Sequence, residues 1–196
     1  LKKKNSYFDS NKKFFTLFTS GSTGQPKAIT HSYGGYTLYA NFTCRKQFNI
    51  NKNSKILTAS DPGWINGHTY ALFGPLSIGC TTIIIKKPYM ILNLKILKLL
   101  NKINPSIIYL PVTLIRMLKS LYKKNIYKFS NLKTIGSMGE PLANSVGIWY
   151  SKFFKQKKKS IINTYFQTET GGIISSPNYK SKDISIEHGN VGKPCS

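Results

Sequence analysis

Apolar residues in this chain fall into short runs separated by turn formers, and the period within the runs changes along the sequence. Phe14, Phe15, Leu17 and Phe18 make a run too short for a helix, which predicts a short buried strand over Phe14–Phe18. A helical spacing follows from about Ser32 to Gln47. Lys55–Ser60 reads as a strand, Thr69–Ile78 as a helix interrupted near Pro75, and the β-branched run Thr81–Ile85 as another strand. From Leu92 to Ile103 the positions Leu92, Ile96, Leu99, Leu100 and Ile103 share one face, with Lys95, Lys98 and Lys102 on the other, so this is the clearest amphipathic helix. Ile107–Leu110 predicts a strand, Val112–Tyr122 a helix, Leu132–Ser137 a strand, Asn144–Phe154 a helix and Ile161–Tyr165 a strand.

Strands and helices thus alternate. That pattern calls for right-handed βαβ crossovers and an α/β fold: a mostly parallel sheet with helices on both faces. Ligands of such sheets bind beyond the carboxyl ends of strands, and the turns after Phe18, Ser60, Ser137 and Tyr165 all leave strand ends. There is no internal repeat and no long low-complexity linker. At 196 residues one domain is the default, since a chain of this size buries roughly 70% of its unfolded surface.

Composition changes this picture in three ways. With 40% hydrophobic and 13% aromatic residues the chain has enough apolar surface to offset ordering entropy, which excludes wholesale disorder. The balance of 29 Lys plus Arg against 6 Asp plus Glu gives +23 and invites a nucleic-acid reading. Yet the lysines are spread along the whole chain, Arg occurs only at Arg45 and Arg116, and no nucleic-acid motif accompanies the charge. A coding bias toward A and T, which also enriches Ile and Asn, accounts for the excess as well. Lys2–Lys4 and Lys157–Lys159 read as solvated loops. Third, the three cysteines, Cys44, Cys80 and Cys195, are widely spaced and form no C-x-x-C pair, so neither a disulfide framework nor a zinc site is indicated. Cys80, in an apolar stretch, reads as a small core residue. No apolar run approaches the roughly 20 residues that span a bilayer, and no signal-peptide segment follows the lysine-rich start. The expectation is a cytoplasmic chain with no membrane contact.

The chemistry concentrates in turns. Thr19-Ser20-Gly21-Ser22-Thr23-Gly24-Gln25-Pro26-Lys27 combines glycines, hydroxyls and a lysine directly after an apolar run. Glycines let successive N–H groups face one anion, hydroxyls add neutral donors and the lysine adds a point charge. This is a phosphate-holding composition, although an ordinary Ser/Gly-rich surface loop has the same ingredients. Pro26 separates it from a Walker A loop and stiffens the exit, so Lys27 is expected to begin an extended segment rather than a helix. Asp61–His68 packs turn formers around Trp64 and His68, as a pocket wall would. His68 reads equally as a packed ring bonded to a backbone carbonyl or as a group facing substrate. Gly136-Ser137-Met138-Gly139-Glu140-Pro141 follows a strand and offers close backbone approach to something flat. Asn163-Thr164-Tyr165-Phe166-Gln167-Thr168-Glu169-Thr170-Gly171-Gly172 gathers aromatics, hydroxyls and a carboxylate at another strand end.

In this order the four segments resemble the signatures of the adenylate-forming superfamily of acyl-CoA synthetases, the acetyl-CoA synthetases most closely. His31-Ser32-Tyr33-Gly34-Gly35-Tyr36, Tyr70–Gly79, and Pro111 with Arg116 agree too, and the resemblance runs from about Phe14 to Pro194. It implies residues 1–13 as a lead-in and 14–196 as part of an AMP-binding (adenylation) domain. It also implies a ligase that activates a short-chain carboxylate, acetate first, to acyl-AMP and then acyl-CoA, using ATP, Mg2+ and coenzyme A. Carried over residue by residue, Thr19, Ser20, Gly21, Ser22, Thr23, Gly24 and Lys27 would hold the β and γ phosphates. Gly139, Glu140 and Pro141 would line the adenine with Tyr165 against its face, within the segment Asn163, Thr164, Tyr165, Phe166 and Gln167. Thr168 would contact a phosphate oxygen and Glu169 would hold the magnesium ion, so Lys27, Thr168 and Glu169 are the candidate catalytic groups.

Trp64, Ile65, Asn66, Met138 and Phe166 would form the acyl pocket, and there the chain departs from the resemblance. Tyr165-Phe166 stands where two tryptophans are usual, Met138 where a smaller aliphatic residue is usual, and Asn66 where a threonine is usual. Phe deepens a pocket that Met can refill. A further departure is Ala28 in place of a glycine. By the same resemblance a ribose-binding aspartate, a hinge and a C-terminal lid domain with the adenylation lysine would follow Pro194, and a segment of the coenzyme A site would precede the chain. The 196 residues alone are therefore expected to bind nucleotide weakly and not to turn over. Two other readings keep similar turns: an adenylation domain that loads a carrier protein, and a non-catalytic basic remnant that binds nucleic acid. Oligomeric state is left open.

Overall fold

The computed structural model describes residues 7, 9–20, 24–123, 127–156, 161–177 and 189–195. In chain order the elements are β1 (Lys13–Thr19), β2 (Lys27–Ser32), α1 (Tyr33–Phe48), β3 (Lys55–Thr58), α2 (Ile65–His68), a π-helical turn (Thr69–Phe73), α3 (Gly74–Ile78), β4 (Thr81–Ile83), a 3-10 helix (Pro88–Leu92), α4 (Leu94–Ile103), β5 (Ile107–Pro111), α5 (Val112–Leu121), β6 (Thr134–Met138), α6 (Asn144–Phe153), β7 (Ile161–Asn163), β8 (Tyr165–Phe166), β9 (Ile173–Ser176) and β10 (Lys193–Pro194).

Five strands in the order β4-β3-β5-β6-β7 form one sheet, parallel throughout. Successive side chains leave opposite faces, so each strand feeds two cores. Leu57, Ile108, Leu110, Ile135 and Ile161 pack with Leu97 and Leu100 of α4, Ile115 and Leu118 of α5, and Tyr150 and Phe153 of α6. Ile56, Ile107, Tyr109 and Ile162 pack with Cys44 and Phe48 of α1 and with Tyr70 and Ile78, and Cys80 belongs to this second core as expected. Helices cover both faces, as the alternation of elements required.

The first strand differs from expectation. β1 pairs antiparallel with β2, closing at Thr19 opposite Lys27, and stands outside the parallel sheet. It is not buried as a whole: Phe18 is 70% exposed, while Phe14, Phe15 and Leu17 are half-buried. A two-stranded ribbon has only one covered face, so a run of Phe and Leu need not mark a central strand. A register shift between Lys13 and Phe15 accompanies the packing of both Phe14 and Phe15 onto the helices beneath. The Phe14 ring lies 4.6 Å from Phe73, and the Phe15 ring 4.8 Å from Tyr36. Lys27 does begin an extended segment.

The helix expected from Thr69 begins four residues earlier, at Ile65, and runs through the π turn to Ile78. Pro75 has no N–H, which leaves carbonyls of the preceding turn without a helical donor. Two hydroxyls from neighbouring strands replace it: Thr58 Oγ1 donates to Tyr70 O at 2.8 Å and Thr82 Oγ1 to Ala71 O at 2.5 Å. The interruption near Pro75 is thus a change of helical register rather than a break.

On α4 the buried residues are Leu97 and Leu100, and Leu99 is 51% exposed. The helix starts at Leu94, where Asn93 caps it by accepting from Lys95 N at 2.8 Å. Leu92 belongs to the preceding 3-10 helix, so the packed face rotates toward Leu97. The strand expected over Ile161–Tyr165 divides at Thr164. β7 ends the parallel sheet, and β8 enters a separate antiparallel sheet ordered β10-β9-β8. Gly136 makes the close approach expected of it, but to interior rings. A Cβ there would lie 2.7 Å from Tyr109 Cδ2 and 3.0 Å from Phe48 Cε1.

Candidate active site

The carboxyl ends of β6 and β7 form the floor of the site. Gly139 leaves β6 with φ +86°, a left-handed conformation that glycine adopts without a Cβ penalty, and turns the chain into Glu140 and Pro141 at the surface. The Glu140 carboxylate is engaged on both oxygens: it pairs with the Arg116 guanidinium and accepts from Thr113 Oγ1 at 2.7 Å. Both partners come from α5, so this helix positions the turn.

Asn163 and Thr164, expected along the nucleotide segment, commit their side chains inward. Asn163 Oδ1 accepts from Ser137 Oγ at 3.0 Å, and its Nδ2 donates to Gly189 O at 3.1 Å. Thr164 Oγ1 donates to Ser137 O at 2.9 Å and therefore accepts from Tyr109 OH at 2.5 Å. These bonds tie β7 to β6 and aim the next residue outward. Tyr165 is 46% exposed, and its hydroxyl accepts from Gln167 Nε2 at 3.2 Å.

The turn Gln167–Gly171 is tightly built. Thr170 Oγ1 lies 2.9 Å from both Gln167 O and Gly172 O and accepts from Gln167 N at 3.2 Å, while Gly171 takes φ +70°. Three elements, β2, the π turn and α1, hold it from below. His31 Nε2–H on β2 donates to Thr168 O at 2.7 Å. Thr69 Oγ1 on the π turn donates to Gly171 O at 2.7 Å and accepts from Tyr36 OH of α1 at 2.8 Å. Tyr39 OH donates to Ile173 O at 2.7 Å, and Tyr70 OH accepts from Ile173 N at 2.7 Å while donating to Thr43 Oγ1 at 3.1 Å. Burial pushes the phenols of Tyr36 and Tyr70 well above their usual range, so both stay protonated donors. With its backbone fixed this way, the turn presents the Glu169 carboxylate to solvent.

The sequence singled out Gln167–Gly171 but not this scaffold. A hydroxyl at Tyr36, Tyr39 and Thr43, three to four residues apart on one helix face, is the signal that could have found part of it.

His31 also joins the β1–β2 hairpin to the Gln167–Gly171 turn. β2 leaves the hairpin tip at Lys27, so the bond from His31 to Thr168 sets the strand that carries the loop against the turn that carries Thr168 and Glu169. Within the tip, Thr19 is half-buried, Ser20, Gly24 and Lys27 are exposed, and Gly24 has φ +81°. Gly21, Ser22 and Thr23 lie outside the described residues, as do Lys2–Lys4 and Lys157–Lys159. Among the described residues there is no cluster of three or more His, Cys, Asp or Glu. The exposed Glu169 carboxylate, outside any such cluster, could hold a hard cation that keeps most of its waters.

The expected acyl-pocket residues separate into two groups. Asn66, Met138 and Phe166 come together. Asn66 Nδ2 donates to the Met138 sulfur, and Phe166 packs on the core cluster that contains Met138. Ile65 is buried beside Asn66 on α2, whereas Trp64 is 68% exposed and caps nothing in the core. Trp64 stands outside because it precedes α2, in a turn where its N–H donates to Asp61 O at 3.1 Å. His68 is a packed ring: it stacks on Phe15 at 4.8 Å, with Nδ1 3.3 Å from Trp64 O.

Comparison with known proteins matches residues 2–196 to a family model described as AMP-binding enzyme. The chain is 38% identical over 184 residues to acetyl-coenzyme A synthetase 1 of Debaryomyces hansenii, covering 92% of this chain and 27% of that protein. It is 36% identical over 174 residues to acetyl-coenzyme A synthetase of Drosophila melanogaster (87% and 26%) and 38% identical over 172 residues to that of Helicobacter pylori (86% and 26%). The chain therefore spans about a quarter of the length of the curated relatives it matches. Among solved structures, an anthranilate CoA ligase in complex with anthranoyl-AMP superposes with a TM-score of 0.77 at 20% identity, covering 94% of this chain and 34% of that one. The last similarity speaks for the fold.

Proposed function

The chain belongs to the AMP-binding enzyme family, and on that premise we propose that it forms the nucleotide-holding core of an AMP-forming acid–thiol ligase acting on a short-chain carboxylate, of which acetate is the simplest. In that reaction a carboxylate oxygen attacks the α-phosphorus of ATP, and the bond to the β-phosphate breaks to release pyrophosphate. The sulfur of coenzyme A, having lost its proton, then attacks the acyl carbon and AMP departs. No side-chain nucleophile is consumed, so catalysis rests on positioning and charge neutralisation.

Lys27 and the hydroxyls of Thr19 and Ser20 would hold the outer phosphates. Gly139–Pro141 would border the adenine with the exposed Tyr165 ring against its face, and Thr168 would meet a phosphate oxygen. Magnesium, when bound by Glu169 and the phosphates, would supply neutralisation of the triphosphate charge. The unpaired state of Cys44, Cys80 and Cys195 is in keeping with a reducing, cytoplasmic setting. The observation that carries the reading is the 2.7 Å bond from His31 to Thr168, which unites the lysine-bearing hairpin with the carboxylate-bearing turn.

Two measurements test it, thermal unfolding on these 196 residues and exchange on the whole ligase whose core they would form. Mg-ATP is expected to raise the thermal unfolding midpoint, with Lys27→Ala and Glu169→Gln each removing most of the rise. Acetate-dependent exchange of labelled pyrophosphate into ATP reads the chemical step. No gain in stability from Mg-ATP, together with no acid-dependent exchange by the whole ligase, would sink the proposal.

A further inference from the structure

Among the described residues, three buried side-chain oxygens lack a partner: Asn66 Oδ1, Thr134 Oγ1 and Ser151 Oγ. Thr134 opens β6 at the far end of the sheet and Ser151 lies within α6. Asn66 alone sits at the carboxyl end, against Met138, the last residue of β6. It is 6% exposed, and its amide finds only the Met138 thioether, a weak acceptor. Turning the amide over would exchange an unpaired oxygen for unpaired N–H groups, so in either orientation a buried amide is left partly unsatisfied.

The neighbour that the Asn66 amide meets belongs to an apolar cluster. Met138 is 1% exposed, and Phe166 packs on its cluster. An acyl chain that reached this end of β6 would meet the Met138 side chain and one amide with spare hydrogen-bonding capacity.

We infer that Asn66 selects a short acid bearing a hydroxyl on the carbon chain, of the glycolate or 3-hydroxypropionate type, over the acid of the same size that carries a methyl in its place. This rests on the acyl-adenylating reading above. A hydroxyl both donates and accepts, so it satisfies the amide in either orientation. A methyl in the same position leaves the amide desolvated and unpaired. Sites built to hydrogen-bond a substrate hydroxyl reject the analogue lacking it far more strongly than an apolar pocket distinguishes one methylene.

The test compares near-isosteric pairs on the whole ligase whose core these residues would form: glycolate with propionate, and 3-hydroxypropionate with butyrate. Acid-dependent pyrophosphate exchange gives the kcat/KM ratio within each pair. Saturation-transfer NMR of the acids in the presence of Mg-ATP reads binding without turnover. The wild type is expected to favour the hydroxy acid by at least about tenfold. Asn66→Leu should collapse that ratio to near one, and Asn66→Thr, which keeps a hydroxyl, should retain part of it. Because both acids of a pair are measured on one protein, partial loss of fold cancels in the ratio. If Asn66→Leu fails to fold, the wild-type ratio and Asn66→Thr decide. A wild-type preference for the methyl-bearing acid, or a ratio unchanged by either substitution, overturns the inference and leaves the ligase reading intact. Neither binding nor activation of any of the four acids overturns both.

Discussion

At the scale of single residues, the candidate site depends on side chains whose role is to hold backbone. Thr69 is the clearest case: one hydroxyl donates to Gly171 O and accepts from Tyr36 OH, all in the interior. Thr69→Val keeps the shape and strands both partners, so a cost of about 1–3 kcal/mol in urea unfolding is expected, together with weaker Mg-ATP retention. Thr37→Val on α1, where the half-buried hydroxyl bonds back only to Tyr33 O and Gly34 O of its own helix, serves as the control and should cost a few tenths at most. Equal losses in the two variants would mean the turn is not braced through Thr69. Residue identity alone made Thr168, Glu169 and Lys27 candidates, because hydroxyl, carboxylate and ammonium groups are what phosphate and metal binding would need. It did not announce Thr69, Tyr36 or His31, whose significance arises only from what lies beside them.

At the scale of elements, two devices shape the region between the sheet and the site. The π turn at Thr69–Phe73 keeps the helix continuous past Pro75 by recruiting hydroxyls from β3 and β4. It also places Thr69 and Tyr70 beneath the Gln167–Gly171 turn. The second device is Gly136, whose missing Cβ lets the rings of Tyr109 and Phe48 lie against β6. Gly136→Ala is expected to destabilise by about 1–3 kcal/mol, since neither ring is free to withdraw from a packed core. Chemical denaturation measures this, and a neutral effect would mean that the second core is looser than these distances imply. The elements of the central sheet were legible because their apolar runs and helical periods are long enough to be unambiguous. Phe14–Phe18 reads as a buried strand and is only half-covered, because a short apolar run carries no information about which faces are covered.

At the scale of the whole molecule, the formal charge of +23 is the feature most open to misreading. Lysines distributed over the surface give a general attraction to polyanions rather than a reading head. Binding to duplex DNA should therefore be indifferent to sequence and fall by about 10³ or more between 50 and 200 mM salt if six or more phosphates are neutralised. Electrophoretic mobility shifts against two unrelated duplexes check this, and a stable preference for one at high salt would contradict it.

The order of hydrophobic runs by itself determined a parallel α/β sheet, because βαβ connection leaves few alternatives once strands and helices alternate. The four turn motifs determined the family, because they carry the functional groups in a fixed sequence order. Tertiary structure decided that the hairpin stands apart from the sheet, that Trp64 stands exposed while Asn66 lies buried against Met138, and that His31 bridges the hairpin to the Thr168 turn. These are contacts between segments up to 137 residues apart. Local periodicity records only how a residue faces its own element, and which distant group it meets depends on how the elements pack.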